Sequence, residues 1–196
     1  MPAREYDMAR RSVVVERTRE RLIRAARDQF TDRRYADVTL VEIADAAGVT
    51  VQTLLNHFGS KEGMLTAAAE VLGTDVDELR GHVEPGDIDG AIAALMRQYE
   101  HLGDVNWWFV ADSERVPSMV PLLDGARAHQ RSWLRETFEP FVPTEEAVRD
   151  EVLAALFAAA DVGTWKLLRR DLGYTPEATA AVLRRLIVGA WAQGAP

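Results

Sequence analysis

The sequence predicts an all-α protein of two domains, and three observations carry that reading. Apolar residues recur at three- and four-residue spacing almost throughout, while the alternation of a half-buried strand is scarce. No proline stands between Pro2 and Pro85; the later ones at 85, 117, 121, 140, 143 and 176 punctuate longer helices. The charge is divided. Residues 1–61 carry eleven basic against nine acidic side chains, and residues 62–196 twelve against twenty-two, within a net charge of −8. Such a split suggests a polyanion-facing domain at 1–61 and a domain of another purpose at 62–196.

The elements follow in order. Residues 1–15 hold Arg4, Arg10 and Arg11 and little to bury, and read as a mobile basic arm. A first helix is expected from about Glu16 to Thr31, with Leu22, Ala26 and Phe30 in one stripe and five arginines mostly off it. These arginines also have local acidic partners such as Glu16 and Glu20. Thr39 and Glu42 form a capping box at the start of a second helix, which Gly48 ends. Thr50 caps a third helix whose first turn is Val51, Gln52 and Thr53, and Gly59 stops it. Ser60 caps a fourth helix reaching about Val83, before a break at "EPGD". Further helices are expected at about 88–102, 105–115, 120–138, 145–172 and 176–193, the last with Thr175 as N-cap and Pro176 behind it.

Several chemistries are excluded or unsupported. There is no cysteine, so disulfides, thiolate metal sites and cysteine nucleophiles are ruled out. The histidines at 57, 82, 101 and 129 lack metal-binding spacing, and there is no GxSxG, GxGxxG or phosphate-cradling glycine loop. The "DVDE" run at 75–78 reads as a solvated helix face. The chain is therefore not expected to be an enzyme, and neither cofactor nor metal is expected. No apolar run is long enough to span a bilayer and no signal-peptide core is present, so a cytoplasmic protein without membrane contact is expected.

Three short helices separated by tight turns in 16–58 make a helix-turn-helix pattern. In that pattern the second helix of the pair enters the major groove of DNA and its N-terminal residues face base edges. The stretch "LIRAARDQFTDRRYADVTLVEIADAAGVTVQTLLNHFGSKEGML", Leu22 to Leu65, resembles the DNA-binding domain of TetR-family transcriptional regulators. The likeness runs in register through Leu22, Ala26, Phe30, Tyr35, Thr39, Ile43, Ala44, Ala47, Gly48, Val49, Leu54, His57, Phe58, Ser60, Lys61 and Leu65. It covers about a quarter of the chain. The resemblance implies a homodimer on a palindromic double-stranded DNA operator and a small-molecule effector bound in the C-terminal domain. It implies that Gln52 and Thr53 face base edges and that Thr39, Asn56, His57 and Lys61 meet phosphates. The chemistry agrees, since Gln can address adenine with both amide atoms and Val51 can touch a thymine methyl. Thr50 belongs to the same surface. Thr39, Thr50 and Ser60 would cap helices with or without DNA, and His57 could instead pack between helices. Two positions depart from the family pattern: Leu55 stands where Tyr is usual, and Arg34 where Gly is usual. A left-handed Arg34 would cost about 1 kcal/mol, unless the turn differs.

In the remainder, Met96, Tyr99, Trp107, Trp108, Trp133, Phe157, Asp161 and Trp165 are the candidates for an effector pocket, with Gln130 and His129 as further polar groups. The same large residues could equally form the core. Leu153, Leu156, Phe157, Ala160 and Gly163, with Ala178, Val182, Leu186, Ile187 and Ala190, offer a dimer face or an intramolecular one. The expected activity is that of a ligand-responsive repressor. The alternative is a dimeric helical scaffold whose helix-turn-helix contacts protein.

Overall fold

The computed structural model describes the backbone of residues 2–192 and the side chains of residues 12–191. Among the described residues it is helical, with no strand. The chain divides into two compact units between Thr74 and Asp75, inside a helix that continues through both.

The first unit holds α1 (Pro2–Asp32), α2 (Leu40–Ala46), α3 (Val51–Phe58) and the first part of α4 (Lys61–Arg80). Leu22, Ala26, Phe30, Ile43, Leu54, Met64 and Leu65 form its core, each at most 1% exposed. The expected arm is replaced by helix, because α1 begins at Pro2. No glycine or proline follows Pro2 in this segment, and Ala, Arg, Glu and Met all favour helix. The side chains of Arg4, Arg10 and Arg11 lie outside the described residues. Arg34 is extended, with φ −62° and ψ 149°, so the turn after α1 needs no left-handed residue. A short 3-10 turn at Tyr35–Asp37 makes the connection instead.

The second unit is built on α5 (Ile88–Asp112), which packs against α6 (Met119–Thr137), α8 (Val162–Lys166) and α9 (Pro176–Ala192). α7 (Glu146–Ala159) packs against α6 and α9. α4 ends at Arg80, short of Val83, where Gly81 turns left-handed at φ 62°. The two helices expected on either side of residue 103 are one. Gly103 is a packing position: a Cβ there would sit 2.4 Å from the ring of Trp165. Conversely, the single helix expected at 145–172 is broken. The freed Ala160 carbonyl accepts from Tyr99 Oη and Gln130 Nε2, and Asp161 caps α8 by accepting from Gly163 N–H. A π turn at Leu167–Asp171 follows α8.

Candidate nucleic-acid interface

The turn between α2 and α3 follows directly from its sequence. Gly48 has φ 65°, Val49 N–H donates to Ala44 C=O, and Gly48 N–H donates to Asp45 C=O. This is the Schellman pairing, which satisfies the last carbonyls of α2. Thr39 caps α2 reciprocally with Glu42: Glu42 N–H donates to Thr39 Oγ1 at 3.2 Å, and Thr39 N–H donates to Glu42 Oε2 at 2.8 Å. Arg33 reaches the other oxygen of Glu42 at 2.8 Å. The Arg33 bond, then the two Thr39 bonds, hold the Glu42 carboxyl down at about 2.

Thr50 starts α3 by accepting from Thr53 N–H at 3.2 Å. Eight residues then sort by face. At about 100° per residue, Gln52, Asn56 and Thr53 fall within one arc, and Leu54 and Phe58 fall opposite. Leu54 is fully buried, whereas Gln52 and Asn56 are exposed and Val51, Thr53 and His57 are half-buried. Gln52 Nε2 donates to Asn56 Oδ1 at 2.9 Å. That bond orients the glutamine amide but leaves its oxygen and a second hydrogen on Nε2 for a partner. Leu55 is half-buried at the edge of the arc.

Gly59, at φ 75°, ends α3, and Ser60 caps α4 by accepting from Gly63 N–H at 3.1 Å. Gly63 is indispensable for this geometry, since a Cβ there would lie 2.1 Å from the Phe58 carbonyl oxygen. Lys61 does not stand free. Its ammonium donates to the Tyr35 carbonyl and lies 4.0 Å from the centre of the Tyr35 ring. Burial lowers its pKa, although Glu62, Asp37 and Glu42 oppose the shift. Two of its hydrogens remain for other acceptors. Tyr35 stacks on Phe30 with ring centres 5.7 Å apart and donates to Glu62; burial, then Glu62, pushes its hydroxyl up to about 12. Seven of the eight candidate residues thus lie at the capped starts of α2, α3 and α4 or on the outer arc of α3, and the eighth, His57, is half-buried in the last turn of α3 with its ring 6.0 Å from that of Phe58. The Arg33–Glu42 link and the close approach at Gly63 went unread in the sequence. Both were visible only as an arginine nine residues from a capping glutamate and a glycine in a helix's first turn.

A sequence model of the bacterial regulatory proteins of the tetR family matches residues 22–68. A curated relative, the HTH-type transcriptional regulator AlkX of Mycobacterium tuberculosis, is 28% identical over 182 residues, covering 86% of this chain and 82% of its own. Residues 22–68 thus carry the N-terminal domain of the tetR-family bacterial regulatory proteins. The chain's fold is also that of solved transcriptional regulators. A tetR-family regulator from Streptomyces coelicolor superposes with a TM-score of 0.74 at 18% identity, covering 92% of this chain and 84% of the other. A transcriptional regulator from Rhodococcus sp. Rha1 gives 0.70 at 23% identity, covering 89% and 96%.

In the second unit the candidate effector residues divide. Met96, Tyr99 and Trp165 are buried in the core of the second unit, and Trp107, Trp133 and Phe157 pack at its margin. Trp108 is half-buried on α5. Trp165 is fully buried against Tyr99, with its Nε1 donating to Glu100 at 3.1 Å. Trp107 and Phe157 carry Lys166 and Arg131 over their rings. Asp161 is the cap of α8. His129 is exposed and meets Asp77 at 2.7 Å. Of the possible dimer residues, Leu156, Ala160 and Ile187 are fully buried within the chain, whereas Leu186 is 46% exposed. Arg80 and Gln98, both buried, were not singled out by sequence; neither belongs to a local pattern. Among the described residues no helix is long and apolar enough to cross a membrane, and no group of His, Asp and Glu could hold a metal ion.

Proposed function

We propose that the protein is a cytoplasmic repressor that binds a palindromic operator as a homodimer and leaves it when a small molecule occupies the helical unit. The observation that carries this reading is the outer arc of α3. A short helix is marginal alone, yet this one is held by two glycine turns and a buried Leu54 while Gln52, Thr53 and Asn56 face outward. That arrangement suits a major groove.

In this reading Gln52 and Thr53 address base edges and Val51 touches a thymine methyl. Thr39, Thr50, Asn56, His57 and Lys61 lie along the phosphates, where the free N–H groups that start α2 and α4 add to the attraction. The exposed apolar side chains Leu167, Leu172, Tyr174 and Leu186 supply the dimer contact. The effector acts against the aromatic residues of the second unit. It shifts α4, the helix common to both units, and so changes the spacing of the two reading helices.

The test is titration of the protein against the DNA upstream of its own gene at two salt concentrations. A footprint that weakens at the higher salt is expected. No footprint, or binding indifferent to salt, refutes the reading. Gln52→Ala should relax sequence preference, and Lys61→Ala should weaken all sequences alike.

A further inference from the structure

The side chain of Arg80 closes α4 inside the second unit and is 2% exposed. A guanidinium stays charged and carries five N–H donors. Nε donates to Gln98 Oε1 at 2.7 Å, and Nη2 donates to Gln130 Oε1. The guanidinium carbon lies 4.4 Å from the centre of the Trp133 ring. Nη1 is buried and meets no acceptor among the described residues. Tyr99 and Asp77 favour the charged form, but burial outweighs them and lowers the pKa. Asp77 is itself engaged by His129.

The acceptors around Arg80 are neutral amides, and these are tied down. Gln130 Nε2 donates to the Ala160 carbonyl at 3.1 Å, and Tyr99 Oη donates to the same oxygen at 2.6 Å. Amide oxygens satisfy N–H groups without cancelling the charge, and a buried charge without a counter-ion is costly. The cation is buried and held in place, and among the described residues its direct hydrogen-bond acceptors include no carboxylate.

We propose that Arg80 is the anion subsite of the effector site, and that the effector is an apolar molecule bearing one carboxylate. This deepens the regulatory reading above and rests on it. The carboxylate oxygens accept from Nη1 and from the remaining hydrogen of Nη2, the forked geometry that guanidinium and carboxylate share. The apolar part lies against Trp133 and the neighbouring aromatic residues. One negative charge neutralises the site, whereas a doubly charged phosphate would leave a buried excess.

The experiment uses the full chain and two matched pairs: decanoate with decanamide, and 2-naphthoate with 2-naphthamide. At least one carboxylate is expected to raise Tm and to bind in calorimetry at least about ten-fold more tightly than its amide. Sodium chloride at equal ionic strength should not raise Tm. In Arg80→Gln the preference for acid over amide should vanish. Arg80→Lys keeps the charge and should retain part of it, which serves if the glutamine variant does not fold. Equal binding of acid and amide by the wild type, an unchanged preference in Arg80→Gln, loss of all preference in Arg80→Lys, or no binding of either carboxylate overturns the proposal. The ligand-free operator titration is separate. DNA binding without carboxylate preference discards the anion subsite alone; carboxylate binding without an operator footprint discards the regulatory reading alone.

Discussion

Around α2 and α3 the helix caps and the outer arc bond to partners three or four residues away, Thr39 with Glu42, Thr50 with Thr53 and Gln52 with Asn56, with Arg33–Glu42 and Lys61–Tyr35 as longer links. Around Arg80 the same kinds of groups are buried and join positions 18, 30, 50 and 61 residues apart. The first arrangement is a set of local devices, each able to form as its own helix forms. The second exists only once α4, α5, α6 and the end of α7 are packed together. A local device can be changed one residue at a time, while a network of distant residues gains and loses stability as a whole.

The strongest way to break the comparison is Trp165→Ala. Trp165 is fully buried against Gly103, and its removal should cost about 4 kcal/mol in urea unfolding. Hydrogen exchange should show lost protection in α5 and α8 and little change in α3. Equal loss in α3 would mean that both units unfold as one body, and the contrast between local and distant support would fall.

Gly63→Ala tests a further local device of the first unit, the close approach of Gly63 to the Phe58 carbonyl. The Phe58 carbonyl would have to move away from the new Cβ, at a cost of about 2 kcal/mol. The turn between α3 and α4 would shift with it, so operator affinity should fall together with stability. An alanine variant with unchanged stability and affinity would show that this turn adjusts freely.

The same contrast explains what could be read in advance. Caps at Thr39, Thr50, Ser60 and Thr175 and the stops at Gly48 and Gly59 were legible, because each depends on residues within one turn. The early start of α1 was missed because arginines without an apolar stripe looked like an arm, although their helix propensity is high. Gly103 read as a break because its partner, Trp165, lies far away in sequence. The capping role of Asp161 went unread for the opposite reason. The helix break that makes it a cap depends on Tyr99 and Gln130, which take up the freed carbonyl. Arg80 carried no local signal at all. The outward positions of Gln52, Thr53 and Asn56 on α3 were legible too, because they follow from its cap at Thr50 and the helical period.

A smaller effect is expected at the Thr39–Glu42 box. Thr39→Ala should cost about 1 kcal/mol as the cap is lost. Its pH signature is separable. The Glu42 carboxyl is held at about 2 instead of the usual 4.5, by Arg33 first and Thr39 next. A depressed folded-state value means that the unfolded chain binds the proton more readily. The stabilisation is therefore complete above about 4.5 and is lost as pH falls towards 2. Stability measured between these limits should fall less steeply in Glu42→Gln than in the wild type. Identical acid limbs would mean that the box is not formed in solution.

The smallest expected effect concerns Leu55, where the TetR family usually carries tyrosine. Leu55 is half-buried at the edge of the outward arc, between the buried Leu54 side and exposed Gln52 and Asn56. A tyrosine can keep its ring on the apolar edge and extend its hydroxyl towards a phosphate. One added hydrogen bond is worth about 0.5–1.5 kcal/mol, so Leu55→Tyr should tighten operator binding by roughly three- to ten-fold at fixed salt. Sequence preference should stay as it was, because a phosphate carries no base information. If affinity falls instead, the leucine is packing the helix against its neighbours. The edge of α3 then belongs to the protein's core, and the DNA surface is narrower than the arc of Gln52, Thr53 and Asn56 implies.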